Sequence, residues 1–394
     1  MTDPRAADVA IVGGGIMGAC AALFLRRLGH SVILLEAALC GSKASGVNYG
    51  GVRRQGRSLD QLPLSQRAHA LWRDIRQLAG IEGEYVRSGH LKLARTAADM
   101  AALEAYRQTS RGFGLDLRLL SGPAFHRQFP WLDQTLVGGS LCPEDGHANP
   151  RLVSPALAQA ARRAGAEVHE QTRVLQAART EAGFLLVCDR GLRVRAESVI
   201  NCAGAWGHEI ARLFGREVPE SALYPLMMVT EPLPLFMTVS LGMQGGGVYA
   251  RQVERGNCVI GGGRGYASNT QFARPGGRAI NTLMREAGRL IPALAHAQVI
   301  RFWSGYEGGF DDGNPVLGPD DQVPGLFHAF GFSGAGFQLG PAVGEALADL
   351  VHAGRARIPL DAFDIRRFGA QSRQLEPALN IAGQRGQEPI CLHK

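Results

Sequence analysis

The stretch from residue 8 to residue 38, "DVAIVGGGIMGACAALFLRRLGHSVILLEAA", constrains the fold more than any other part of the chain. Val9 to Val12 is an unbroken apolar run with the character of a buried strand, and it leads into Gly13-x-Gly15-x-x-Gly18. Leu23, Leu25 and Leu28 follow in what reads as a helix, and Val32 to Leu35 reads as a second strand ending on Glu36. This is a complete βαβ unit. Gly13 permits the tight turn, Gly15 lets a diphosphate reach the backbone, and Gly18 lets helix and strand pack closely. The helix N-terminus, beginning at Ile16 and Met17, offers free N–H groups and partial positive charge to that diphosphate. Glu36 lies 23 residues beyond Gly13, where a carboxylate accepts from both ribose hydroxyls and repels a 2′-phosphate. The unit therefore predicts dinucleotide binding and disfavours NADP, but by itself it does not separate FAD from NAD.

The following residues favour FAD. "CGSKASGVNYGGVRRQGR", residues 40–57, is a polar loop rich in Gly and Ser where a plain dehydrogenase would begin its next helix. Such a loop suits a cofactor with a long second half. Farther on, Glu167 to His169 and a segment carrying Val174 read as strands, and Ser198 to Asn201 reads as a buried strand opening at Gly204 into a helix. "GLFHAFGF" is an apolar strand that delivers "SGAGFQLGPAVGEALADLV", a third strand-to-glycine-to-helix turn, with Pro341 expected in the first turn of its helix. Between these turns, residues 223–263 alternate apolar and polar residues, as antiparallel strands do. Tyr249 and Arg251 are two apart there and share a face. The economical arrangement is an antiparallel domain inserted into a nucleotide fold.

Composition excludes several other functions. The chain has 394 residues and a formal charge of +7, carried almost wholly by arginine, the only lysines being Lys43, Lys92 and Lys394. Its basic pairs are dispersed and lack interleaved aromatics, which argues against nucleic-acid binding. The seven cysteines form no C-x-x-C and no zinc-like spacing with histidine, so no metal is expected and a reducing, cytoplasmic compartment is the simple reading. "MTDPRAAD" carries no apolar signal region, and no apolar run reaches the roughly 20 residues of a membrane span. Peripheral contact at the inner membrane stays open.

Four stretches, "AIVGGGIMGACAALFLRRLGHSVILLE", "GSKASGVNYGGVR", "VINCAGAW" and "WSGYEGGFDDGNPVLGP…GLFHAFGFSGAGFQLGPAVGEAL", resemble the D-amino acid oxidase superfamily of FAD enzymes, on the branch of glycine oxidase and sarcosine oxidase. The resemblance spans roughly residues 8–368. It implies an α/β fold: a Rossmann-like FAD-binding domain of the GR2 flavoprotein type with an inserted, mainly antiparallel β-sheet substrate domain. The expected division is 1–88, 148–222 and 315–370 for FAD, 89–147 and 223–314 for substrate, and a C-terminal extension at 371–394. It further implies FAD extended across the first domain, its ring at the interface with the second. Gly13, Gly15, Ile16, Met17 and Gly18 would hold the diphosphate, Glu36 and Ala37 the adenosine ribose, and Val174 the adenine. Ser42, Ser45, Asn48 and the Gly50-Gly51-Val52 stretch would line the diphosphate and one flavin face, with Ala203, Gly204 and Trp206 bordering it. Gly334, Ala335, Gly336, Phe337 and Gln338 would wrap the pyrimidine end, the turn's N–H groups and the helix N-terminus stabilising negative charge at N1/O2.

At the substrate end the chain departs from this pattern. Glu307 stands about where glycine oxidase has a carboxylate-binding arginine, Gln338 where sarcosine oxidase has a lysine, and Ala335 where it often has a histidine. The remaining cations in reach are Arg251, the favoured carboxylate anchor, and Arg53 or Arg54. Glu307 would recognise an amine or guanidinium, Tyr249 would stand beside Arg251 in the substrate site, and Tyr306, Tyr49 and Asn48 would supply polar walls. Residues 305–312 contain no cysteine and 45–48 no histidine, so FAD is expected to be non-covalent. The expected reaction is hydride transfer from the carbon bearing an amine to flavin N5, giving an imine from a D-amino acid, N-alkyl amino acid, opine or cyclic imino acid. The alternatives are oxidation of a 2-hydroxy acid or polyol phosphate, and a flavin subunit of a hetero-oligomeric dehydrogenase. Oxygen, a quinone or a partner protein remain open as electron acceptor.

Overall fold

The computed structural model describes residues 3–369, so the expected extension at 371–394 lies outside the described residues. Strand Arg5–Val12 has parallel neighbours on both sides, with Val12 opposite Leu35 of Val32–Leu35 and opposite Asn201 of Arg193–Asn201. Glu167–His169 adds in parallel beyond Val32–Leu35, and Leu326–Phe330 adds in parallel beyond Arg193–Asn201. Val316–Pro319 closes that edge antiparallel, and the hairpin Val174–Thr180/Gly183–Cys188 pairs with Arg193–Asn201. The carboxyl ends of the parallel strands thus share one edge. They deliver Gly13, Glu36, the Cys202–Gly204 turn and the Gly331–Gly334 turn together, as ligand sites in open α/β sheets require.

Helix Ile16–Arg27 packs on this sheet and against helix Gly336–Ala353. A Cβ on Gly340 would fall 2.7 Å from Ile16 Cγ1 and one on Gly344 2.3 Å from Cys20 Cβ, so the two helices meet almost backbone to backbone. The late glycine run is therefore partly a helix-packing device. Pro341 sits inside that helix and not in its first turn; its ring leaves the Phe337 carbonyl without the usual N–H donor.

A second eight-stranded sheet runs in the order Val299–Ser304, Pro225–Pro232, Asn257–Arg264, Tyr249–Gln252, Ser240–Met243, His90–Ala94, Gly138–Cys142, Arg118–Ser121. Every pair is antiparallel except Ser240–Met243 with His90–Ala94. Alternation divides its faces. Leu91, Leu93, Leu241, Met243, Ala250 and Ile260 form a buried core with Phe125, Phe129 and helix Gly277–Leu290. His90, Lys92, Gly242, Tyr249 and Gly261 occupy the opposite face. A Cβ on Gly261 would fall 2.1 Å from the ring of its cross-strand partner Tyr249, so a glycine there lets that ring lie over the strand.

Candidate active site

A cavity of about 580 Å³ runs from the carboxyl edge of the parallel sheet to the polar face of the second sheet. At its first end the Glu36 carboxylate accepts from Gly14 N–H at 2.6 Å and Ala38 N–H at 2.7 Å, while burial raises its pKa. Ala37, Thr172 and Val174 flank it. Gly13 has φ +107°, and a Cβ there would stand 2.3 Å from the Cys202 carbonyl oxygen. Gly15, Ile16 and Met17 open onto the cavity, with Ser45 Oγ accepting from Ile16 N–H at 2.9 Å. Gly50, Gly51, Ala203, Gly204 and Trp206 continue the wall, followed by Gly334, Gly336 and Phe337. Asn201, fully buried, fixes the Ala203–Trp206 turn by accepting from Ala203 N–H and donating to the Gly207 carbonyl. A buried carboxylate at the end of the second strand, a side-chain-free turn at a helix N-terminus and a long glycine-lined slot fit FAD.

Six residues expected in the cofactor or substrate wall stand outside it. Gly18 acts from behind: a Cβ there would lie 2.0 Å from the Gly13 carbonyl oxygen. Ser42 is exposed and does not line the cavity, and Val52 and Ala335 are buried in the core. Gln338 turns away, exchanging hydrogen bonds with Ser65 Oγ and carbonyl at 2.9 Å each, while its own carbonyl accepts from Trp72 Nε1. Arg251 stands behind Tyr49 and Gly50, donating from Nε to the Tyr49 carbonyl at 2.9 Å with its guanidinium over the Tyr49 ring. Its shared face with Tyr249 is real, but those two groups shut it off.

Asn48 lines the cavity, yet its amide donates to the Ala44 and Ser45 carbonyls and accepts from Gly50 N–H. It closes the one-turn helix Ala44–Val47, an element unforeseen inside the polar loop. Arg54 is held by buried Asp145, Nε to Oδ1 at 3.0 Å, and does not reach the cavity.

The far end of the cavity brings together Tyr249, Tyr49, Tyr306 and Glu307. Tyr306 stacks on Trp206 with ring centroids 5.1 Å apart, and Tyr49 meets Tyr249 edge to face at 5.0 Å. Glu307 Oε1 accepts from Gly334 N–H at 2.7 Å, so a donor expected to face the flavin is engaged by a carboxylate. Burial raises the Glu307 pKa, against the pull of that N–H and of Arg57. Four basic side chains line this end: Arg53, Arg57, His90 and Lys92. Burial lowers the proton affinity of each, and their mutual repulsion deepens it for Arg57, His90 and Lys92. Arg57, His90 and Lys92 were not singled out from the sequence. One signal was available: "HLKLA" alternates polar and apolar residues, and Lys92 is one of only three lysines in an arginine-rich chain.

The fold and this cavity define a flavin-dependent enzyme of the Rossmann-like class. The sequence matches the family model DAO, FAD dependent oxidoreductase, over residues 8–350, and the chain belongs to that family, whose cofactor is FAD. It is 30% identical over 372 residues to glycine oxidase of Geobacillus kaustophilus, covering 91% of this chain and 97% of the relative. The structure of that enzyme superposes with a TM-score of 0.86 at 28% identity, over 92% of this chain and 99% of the other. The chain is also similar to a subunit of the opine oxidase of Rhizobium meliloti, 27% identical over 93% of this chain and 99% of the relative. L-proline dehydrogenase from P. horikoshii superposes with a TM-score of 0.87 at 25% identity, over 94% and 99% of the two chains. No helix among the described residues is long and apolar enough to cross a membrane. No cluster of metal-ligating side chains occurs among them.

Proposed function

We propose that this chain oxidises the C–N bond of an amino acid derivative, with Arg57 holding the substrate carboxylate and Glu307 facing its amine. The observation that carries this reading is a pair of unlike charges on one cavity wall, each near enough to shift the other's proton affinity. Arg57 is 7% exposed and its Nε has no hydrogen-bond partner, so a buried guanidinium is left with donor capacity for a ligand. An α-amino acid presents a carboxylate and an amine on one carbon, which matches that pair. When bound, FAD supplies the hydride acceptor. The chain's own residues bind, orient and desolvate: Tyr49, Tyr249 and Tyr306 narrow the pocket, and exclusion of water favours the neutral amine that must react. Glu307 carries a raised pKa and suits the ammonium proton at Oε2, which has no hydrogen bond among the described residues. The carbon loses a hydride to give an imine, and water then releases the amine and leaves a carbonyl. The names of the similar glycine and opine oxidases support amine oxidation.

The test is stoichiometry. Turnover of an amine substrate with an artificial dye yields one amine or ammonia and one carbonyl product per two-electron reduction. A carbonyl product formed from a hydroxy acid, with no amine substrate turned over, contradicts the reading. Similarity along the whole of an opine oxidase subunit also supports action within a hetero-oligomer; activity of the purified chain alone with a dye, but not with oxygen, is the result expected for that arrangement.

FAD is held without a covalent bond in this reading. Acid precipitation releases all of the yellow colour into the supernatant; a pellet that keeps its flavin after washing shows otherwise.

A further inference from the structure

Arg57 accounts for one carboxylate, yet more positive charge faces the same cavity. Lys92 Nζ lies 2.9 Å, and Arg53 Nη1 3.4 Å, from the point a Cβ on Gly56 would occupy, so the two cations converge over a residue with no side chain. They come from different parts of the fold. Lys92 stands on His90–Ala94, an interior strand of the second sheet, and Arg53 on the loop leaving Gly51–Val52. Among the described residues no carboxylate lies within ion-pair distance of either. The nearby acids are otherwise engaged: Asp145 accepts from Arg54 Nε and from the Arg54 and Gln55 N–H groups, and Glu307 accepts from Gly334 N–H. Arg53 donates to the Gln55 carbonyl from one nitrogen only, and the cofactor's phosphates belong at the Gly13 turn on the other sheet. Converging half-buried cations without a counter-ion are costly unless an anion joins them.

We propose that Lys92 and Arg53 form a second anion subsite, so that the substrate is an amine carrying two carboxylates, one at Arg57 and the other between Lys92 and Arg53. This rests on the amine-oxidation reading, which supplies the first anchor. Neutral His90, two residues before Lys92 on the same face, has an unpartnered buried Nδ1 and adds a polar contact without a further charge.

The test compares kcat/KM for an N-(carboxyalkyl) amino acid with that for the N-alkyl amino acid of equal length. The wild type prefers the dicarboxylate at least tenfold; Lys92→Met reduces that ratio to twofold or less, and Lys92→Arg keeps it. Equal kcat/KM values in the wild type, or a ratio that survives Lys92→Met, overturn the subsite. The ratio also depends on pH. Burial and Arg53 lower the Lys92 pKa to about 8, so its charge is present below that pH and lost above it. Of the groups facing it, His90 has a lowered pKa and stays neutral, and Tyr249 has a raised one and stays protonated. Arg53 and Arg57, though burial lowers their proton affinity, remain charged because a guanidinium holds its proton across this range. The preference therefore falls as pH rises from 7 to 9; a flat ratio counts against Lys92. Binding of non-oxidisable glutarate against butyrate, read from the flavin spectrum, separates this inference from the reaction. Tenfold tighter glutarate binding that Lys92→Met abolishes upholds the subsite even if no amine is oxidised, and equal binding removes it even if amines are.

Discussion

Gly13→Ala purifies without its flavin. The added methyl would stand 2.3 Å from the Cys202 carbonyl oxygen, 2.6 Å from its carbon and 3.0 Å from Ala203 Cα, all backbone atoms. None can yield freely, because Cys202 N–H donates to the Val12 carbonyl and Gly13 N–H to the Leu35 carbonyl, both at 2.8 Å. Relief must come from opening the turn that presents Gly15 and the helix N-terminus to the diphosphate. The φ of +107° adds strain on the order of 1–2 kcal/mol for any residue with a Cβ. The expected result is at least a tenfold fall in the 450 nm to 280 nm absorbance ratio and in affinity for added FAD. Gly29→Ala is the control: its φ is +94° but nothing lies within 4 Å of the added methyl. It loses about 1 kcal/mol of stability and stays yellow. Equal flavin content in the two variants would remove the Gly13 turn from the cofactor site.

Arg57→Met costs activity far more than stability. Truncating one partner of a buried, hydrogen-bonded charge pair costs roughly 2–5 kcal/mol, so kcat/KM for the amine substrate falls about 100-fold or more, mostly in KM. Without substrate, however, the guanidinium is a buried charge repelled by Arg53 and short of a partner at Nε. A methionine of similar length lifts that penalty but leaves Glu307 without its counter-charge, so the stability of the free enzyme changes by no more than about 1 kcal/mol. The Tyr106 hydroxyl bonds to the Arg57 carbonyl and is unaffected. A residue with a purely structural role would lose stability and leave KM alone. That result would move the carboxylate anchor elsewhere.

The contrast between Gly13 and Arg251 shows which parts of the site were legible in the sequence. The diphosphate turn and Glu36 depend on local chain geometry, where three glycines, two strands and one helix within 31 residues allow few other arrangements. The antiparallel second sheet was likewise readable from alternation around Tyr249, and its polar face does line the cavity. Whether a given side chain reaches the cavity or stops behind it depends on distant partners. Gln338 is drawn off by Ser65 and Trp72, from a helix some 270 residues earlier, and Arg251 by the Tyr49 carbonyl. Lys92 reaches the site only because His90–Ala94 pairs in parallel with Ser240–Met243, about 150 residues later. Pairing at that range leaves no local signature beyond the alternation itself. Glu307 was singled out as a departure from the family pattern, but its bond to Gly334 could be seen only once the two turns stood side by side.

Anaerobic reduction of the bound flavin tests the central claim most directly. The holoenzyme is mixed, without oxygen, with D-, N-alkyl, N-(carboxyalkyl) and cyclic amino acids and with the matching hydroxy acids, and absorbance near 450 nm is followed. The account predicts rapid bleaching by amines, fastest with a second carboxylate present, and none by hydroxy acids. Bleaching by a hydroxy acid together with an unchanged spectrum for every amine would contradict it.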